Sequence, residues 1–162
     1  MEPVREPIGA DLIEWVLIDL AAGNLRSLEI ALAELHPAEQ AFVLESLPPE
    51  KRQQTWALVT EESKAEVLAH MREEARATIL GDMAVGELVS VAAEMDVEDL
   101  AEVLDALPTS VGDSVIAELE HDYRARLAMG RRFDEGTVGR LMSHDVLSVR
   151  EDVSVSVVLR WL

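Results

Sequence analysis

Cysteine is absent from this 162-residue chain. Its absence excludes a disulfide framework, a thiolate nucleophile and sulfur-ligated zinc or iron, and it fits a reducing compartment. Aromatic residues make up only 4% of the sequence. With β-branched runs also short, a sandwich or barrel is disfavoured. Glycine and proline number 8 and 6, too few for a collagenous or low-complexity segment. No stretch approaches the roughly 18 apolar residues of a membrane-spanning helix. The acidic start, Met1 to Pro7, lacks the apolar core of a signal peptide. Positive charge is scarce: 14 Lys and Arg stand against 32 Asp and Glu, a net charge of −18. Such a polyanion repels nucleic-acid phosphates and anionic lipid, so no nucleic-acid partner is expected. Cations and basic protein surfaces are its natural partners.

What is abundant points one way. Leucine, alanine and glutamate number 22, 20 and 21, and all three are strong helix formers. The 49% hydrophobic content is enough to bury a core. An all-α protein built on Leu and Ala packing follows.

From His36 to Arg131 the chain divides into eight consecutive blocks of twelve residues without a gap. The ninth column reads Leu44, Trp56, Leu68, Leu80, Ala92, Leu104, Ile116 and Ala128. The eighth is apolar except at Thr55, and the twelfth is apolar except at Arg131. Columns eight, nine and twelve are spaced i, i+1, i+4, one face of an α-helix. Pro37, Pro48, Pro49, Thr60, Asp96, Pro108 and Ser110 supply start signals near block openings. Each block is therefore a short helix plus a tight connection. Helices so short are marginal alone and must stack, which gives a solenoid or superhelix. The pattern predicts about ten short helices and no strand between Asp11 and Met129, with Trp56, Leu68, Leu80 and Leu104 buried. Met71, Met83 and Met95 share the twelfth column with leucines and read as core rather than as a metal-binding stripe.

Two helices are expected ahead of the repeat. One carries Leu12, Ile13, Val16, Leu17 and Leu20 and stops at Gly23. The next is capped by Asn24 and runs from Leu25 to Leu35. After Met129 the pattern breaks. Val146 to Val149 read as a short strand. Asp152 or Ser154 is placed to cap a final helix with Val155, Val158, Leu159 and Leu162. Residues 1–133 thus read as the helical domain, and residues 134–162 as the opening of a second, incomplete domain.

Enzyme signatures are missing: there is no G-x-S-x-G, Walker loop, G-x-G-x-x-G or H-E-x-x-H, and no enzymatic activity is expected. Glu66 and His70 are i, i+4 on one helix face and Glu74 follows at the same spacing, a triplet able to hold a transition metal such as zinc, although such a face arises readily by chance in a Glu-rich helix. His36 and His121 sit near block openings and read as capping or surface residues. Carboxylates are the richer signal. Asp96, Glu98, Asp99, Glu102 and Asp105 fall within ten residues, and Glu66 and Glu102 both occupy the seventh column, away from the core columns. Like charges gathered on one face repel, and a hard divalent cation relieves that repulsion. An acidic run on a solenoid is, on pattern alone, more often a solvated face.

The runs LHPAEQAFVLESLPPEKR, KAEVLAHM, EMDVEDLAEVLDALP and EGTVGRLMSHDVLSVRED, in that order, resemble the cytosolic N-terminal region of MgtE-type magnesium transporters. The resemblance runs from about Leu20 to the chain end, its last segment being similar to the entry into the first CBS motif. It implies a superhelical N domain followed by tandem CBS motifs and a dimeric transmembrane pore on whose cytoplasmic side the domain lies. It implies Mg²⁺ as the ligand, bridging the N and CBS domains and holding the pore closed. It places metal ligands at Glu66, Glu98 and Glu102, with Asp99 beside them and a backbone ligand at Arg140. Arg140 and Gly136 depart from the small and acidic residues expected there. Weak Mg²⁺ binding is implied for this chain alone, because the CBS half of the site is elsewhere. A different class stays open: related short-helix superhelices, as in the flagellar rotor switch protein, are interaction scaffolds, and an acidic face could meet a basic partner with no role for metal.

Overall fold

The structure, a computed structural model, describes residues 10–130, 132–133, 137–142, 149 and 153–160. Ten helices fill its main body: α1 (Ala10–Ala22), α2 (Leu25–Glu34), α3 (Pro37–Ser46), α4 (Pro49–Trp56), α5 (Glu61–His70), α6 (Glu73–Asp82), α7 (Val85–Glu94), α8 (Val97–Asp105), α9 (Thr109–Glu118) and α10 (His121–Gly130). Two single-turn helices follow, α11 (Val138–Leu141) and α12 (Val155–Val158). No strand occurs among the described residues.

Every helix from α3 to α10 starts at the second column of its block. Most run ten residues, and two extended residues complete the twelve. The twelfth-column residue ends the helix: Leu47, Met71, Met83, Met95 and Leu119 have ψ between 138° and 154°, and each backbone N–H bonds the carbonyl three residues back. The following first-column residue is also extended and begins the next helix, as at Thr60, Arg72, Ala84 and Asp96. The chain thus reverses without glycine, and the twelfth-column side chain is left pointing into the core. α2 also starts in phase, one block before His36, so the repeat opens at Asn24 rather than at His36. Of the ten main-body helices only α1 stands outside it. Gly23 ends α1 at φ +75°, with its own N–H on Leu20 O and the Asn24 N–H on Asp19 O, a Schellman stop that calls for glycine.

The start signals work through backbone shape more than through side-chain caps. Asn24, Thr60 and Asp96 hold N-cap positions, but none makes a side-chain cap bond. The Asn24 amide instead donates to Asp19. His36 does cap: its Nδ1 accepts from the Ala38 N–H, and its own N–H donates to Glu39, closing α3 with reciprocal bonds.

Alternate helices stack: α3 on α5, α5 on α7, α7 on α9, and separately α4 on α6 and α8 on α10. This layering makes the superhelix, and its core is the set of expected columns. The eighth column is buried throughout, including Thr55, whose hydroxyl donates to Lys51 O one turn back. Trp56, Leu68, Leu80 and Leu104 are 0–4% exposed. Met71 and Met95 are buried and Met83 packs against them, as the core reading of the methionines requires.

The fifth column is also buried, which its composition hides. It reads Gln40, Arg52, Lys64, Arg76, Leu88, Leu100, Gly112 and Arg124; all but Arg52 and Arg124 are buried. In the tail, the expected strand at Val146–Val149 lies, apart from Val149, outside the described residues. Of the two expected caps for the last helix, Ser154 precedes α12. That helix is one turn long, with Val155 and Leu159 exposed.

Candidate functional site

Four of the expected site residues lie on two neighbouring helices. α5 carries Glu66, and α8 carries Glu98, Asp99 and Glu102; α5 and α8 pack together. Column seven points away from the core, so Glu66 and Glu102 are exposed. Glu98 and Asp99 occupy the first turn of α8 and are half-buried, where the helix N-terminus favours negative charge. Glu66 and Glu98 have no hydrogen-bond or ion-pair partner among the described residues.

The acids crowd one another. Burial pushes the Asp99 carboxyl above its usual range, and the charges of Asp96, Glu102 and Glu98 push it further; His70, at the end of α5, opposes them. The same field reaches Tyr123 on α10. Burial raises its phenol to about 12, with Asp96, Glu98 and Asp99 adding to the rise and Arg126 opposing it. Its hydroxyl donates to Met95 O.

Glu102 differs from its neighbours. It pairs with Arg76 of α6, Nη2 to Oε2 at 3.3 Å. The Arg76 side chain is 6% exposed and that of Glu102 is 64% exposed. Sequence patterning misses Arg76, because a hydropathy reading treats a basic residue as surface. One signal was available: Arg52, Lys64 and Arg76 recur every twelve residues in one column of a chain with 14 basic residues.

Among the described residues, the histidines do not form a metal site of their own; His144 lies outside them. The run Glu66, His70, Glu74 is not one helix face, because α5 ends at His70 and α6 begins at Glu73. The extended pair Met71 and Arg72 turns Glu74 onto a different helix. His36 and His70 have ring centroids 6.2 Å apart. The His36 Nδ1 already accepts the cap bond from the Ala38 N–H at 3.3 Å, so that nitrogen is engaged in closing α3.

Among the described residues, no three His, Asp or Glu side chains converge closely enough to hold a metal ion together. The donors present are nonetheless of the right kind for Mg²⁺. Exposed hard carboxylates, one or two at a time, with water or another surface completing the shell, are how proteins hold that ion. The acidic face therefore fits half of a site. Arg140 lies in α11. No helix among the described residues is long and apolar enough to cross a membrane.

Comparison with known proteins follows the same lines. The chain matches the family model of the MgtE intracellular N domain over residues 35–136. Its fold is similar to the crystal structure of the cytosolic domain of the Mg²⁺ channel MgtE in complex with ATP, with a TM-score of 0.76 and 28% identity over 92% of this chain and 61% of that one. It is also similar in fold to the soluble part of a magnesium transporter, with a TM-score of 0.69 and 17% identity over 91% of this chain and 59% of that one. The chain thus spans about three fifths of each of these structures. A search of curated proteins finds no match. With more than half of its length inside the family model, and with the twelve-residue helical repeat on the page, the chain belongs to the MgtE intracellular N domain family.

Proposed function

We propose that this chain is the Mg²⁺-sensing regulatory domain of a magnesium transporter, lying on the cytoplasmic side of the membrane. The observation that carries the reading is the family match over residues 35–136 combined with an acidic face on α5 and α8 whose Glu66 and Glu98 side chains have no partner among the described residues. The similar 28%-identical structure is of a Mg²⁺ channel's cytosolic domain, which supports the ion. Residues beyond Asp134 lead into a CBS domain, and the full-length chain works as a homodimer.

In this reading Glu66, Glu98 and Glu102, with Asp99 beside them, face the CBS domain. At low Mg²⁺ their charge repels acidic groups opposite and the two domains separate. At millimolar Mg²⁺ the ion bridges them through water and carboxylate and favours the compact, closed form by its greater affinity for that form. Arg140 offers a backbone carbonyl to the same bridge. The role is not enzymatic.

The test is Mg²⁺ flux through the full-length protein in vesicles, at low and high Mg²⁺ on the domain side. Replacing Glu66, Glu98 and Glu102 together by Ala should leave transport active at high Mg²⁺. Inhibition like that of the unmodified protein in the triple variant would remove these residues from the sensor. The acidic face would then be a solvated surface or a docking face for a basic partner.

A further inference from the structure

We infer that Arg76 is a built-in competitor of the metal at Glu102, setting how much Mg²⁺ the acidic face needs before it responds. The inference rests on the reading of Glu102 as a metal ligand and adds a residue that the reading does not contain.

The starting point is how the fifth-column cations are compensated. Arg52 donates from Nε to Leu44 O at 2.9 Å, from Nη2 to Leu47 O at 3.1 Å and from Nη1 to Thr78 Oγ1 at 3.1 Å. Lys64 has carboxylates of Glu61 and Glu87 each at 2.8 Å, and its Nζ lies 5.5 Å from the centroid of the Trp56 ring. Arg76 is as buried as Lys64 and has far less. One nitrogen reaches Glu102 at 3.3 Å, and its buried Nε has no partner. A guanidinium has five N–H donors to place, and a buried charge is tolerated only when paired. Among the described residues, Glu102 is the only carboxylate in ion-pair contact with Arg76.

The consequence is a coupling between two cations through one carboxylate. Mg²⁺ arriving at Glu102 either takes the oxygen that Arg76 holds or binds the other oxygen beside a fixed positive charge. In both cases Arg76 opposes it. Coupling between sites is reciprocal, so the metal weakens the hold of Glu102 on Arg76 as much as Arg76 weakens the metal. An exposed ion pair contributes modestly, and the divalent charge roughly doubles the electrostatic product of the competing cation. Removing the Arg76 charge should then tighten Mg²⁺ binding about three- to tenfold. The geometry has a second effect: the Arg76–Glu102 pair ties α6 to α8, so the metal also loosens a tie between the two.

The experiment titrates MgCl₂ into this 162-residue chain and follows the backbone amides of Glu98–Glu102 and the Nε–H of Arg76 by NMR. It uses the unmodified chain, Arg76→Met, Arg76→Lys and Arg76→Met/Glu102→Gln. The expected result is an Arg76 Nε–H signal that moves with the α8 amides in the unmodified chain. Arg76→Met should bind several-fold more tightly, Arg76→Lys should stay near the unmodified chain because it keeps the charge, and the gain should vanish in the double variant. If the α8 amides titrate equally in the unmodified chain and Arg76→Met, or titrate while the Arg76 Nε–H stays still, the competition is overturned and the metal reading stands. If no amide responds in any variant up to tens of millimolar, both fall. The Nε–H readout needs no substitution, so the inference stays testable even if Arg76→Met unfolds.

Discussion

The two halves of the superhelix share one register and hold themselves together differently. In α3 to α6 the fifth column is Gln40, Arg52, Lys64 and Arg76, and in α7 to α9 it is Leu88, Leu100 and Gly112; a cation returns only at α10, where the half-buried Arg124 donates to Ala117 O. Position in the block turns this side chain inward in both halves, with Arg52 and Arg124 only half-buried; it does not decide chemistry. In the first half the polar groups of this column reach for acceptors: Gln40 to Leu35 O, the half-buried Arg52 to the carbonyls ending α3, Lys64 to two glutamates. In α7 and α8 the same position, Leu88 and Leu100, belongs to the apolar core that also holds Val91, Val103 and Val115. A twelve-residue period thus fixes where a side chain goes, and acids elsewhere determine whether it can be a cation. Arg76 stands last among the cations in the column's polar stretch, with the least compensation, and its one counter-ion lies on the face that the metal would use.

The sharpest way to break this comparison is to move a cation into the second half. Leu100 is 0% exposed, and Leu100→Lys buries a charge with no acid arranged for it. A loss of roughly 4 kcal/mol or more is expected, enough to unfold a domain of ordinary stability; a urea midpoint near that of the unmodified chain would show that the fully buried fifth-column site of α8 tolerates a cation after all. Next in size are truncations of the rails common to both halves. Leu68→Ala and Leu80→Ala should each cost about 2–5 kcal/mol by denaturant unfolding, and an unchanged midpoint in both would take the ninth column out of the core.

Lys64→Met is a milder probe of the first half. It removes the cation while keeping a long side chain, leaving Glu61 and Glu87 facing each other, and should cost about 1–2 kcal/mol. The same residue predicts an alkaline limit. Burial alone would lower the Lys64 pKa, but the hydrogen bonds and charges of Glu61 and Glu87 outweigh it and hold the value above 10.5. A folded pKa above the unfolded one contributes stability fully below about 10.5 and loses it as pH rises through the folded value. Stability measured across that range should fall less in Lys64→Met than in the unmodified chain. The smallest effect belongs to the acidic face. Burial and the neighbouring acids raise the Asp99 pKa, so folding favours its protonated form, and stability from this group rises as pH falls through the folded value toward 3.8. Asp99→Asn should therefore raise the thermal midpoint slightly at neutral pH and flatten that acid-side gain.

Much of the fold was legible because the repeat is written in apolar residues. Columns eight, nine and twelve located the core, and Gly23 located the end of α1. The first repeat unit was passed over although Leu32 and Leu35 sit in the right columns, because the segment was read as a helix by itself rather than in phase with the next. The fifth column was missed for a different reason. Hydropathy marks Arg52, Lys64 and Arg76 as surface, and only their partners make burial tolerable, which one chain's sequence does not display. The same holds for the acidic face. Spacing put Glu66, Glu98 and Glu102 outside the core, while the pairing of Glu102 with Arg76, from 26 residues away, depends on how α6 and α8 meet. The separation of Glu74 from Glu66 and His70 turns on two extended residues that carry no glycine or proline to announce them.

Hydrogen exchange across Glu98–Glu102 in the full-length protein, at low and at millimolar Mg²⁺, tests the central claim most directly. If the acidic face of α5 and α8 is the sensing surface, exchange in the first turns of α8 slows with Mg²⁺, and the slowing is lost in the Glu66, Glu98 and Glu102 triple Ala variant. Exchange that is the same at both Mg²⁺ levels, or that slows equally in the triple variant, would contradict it.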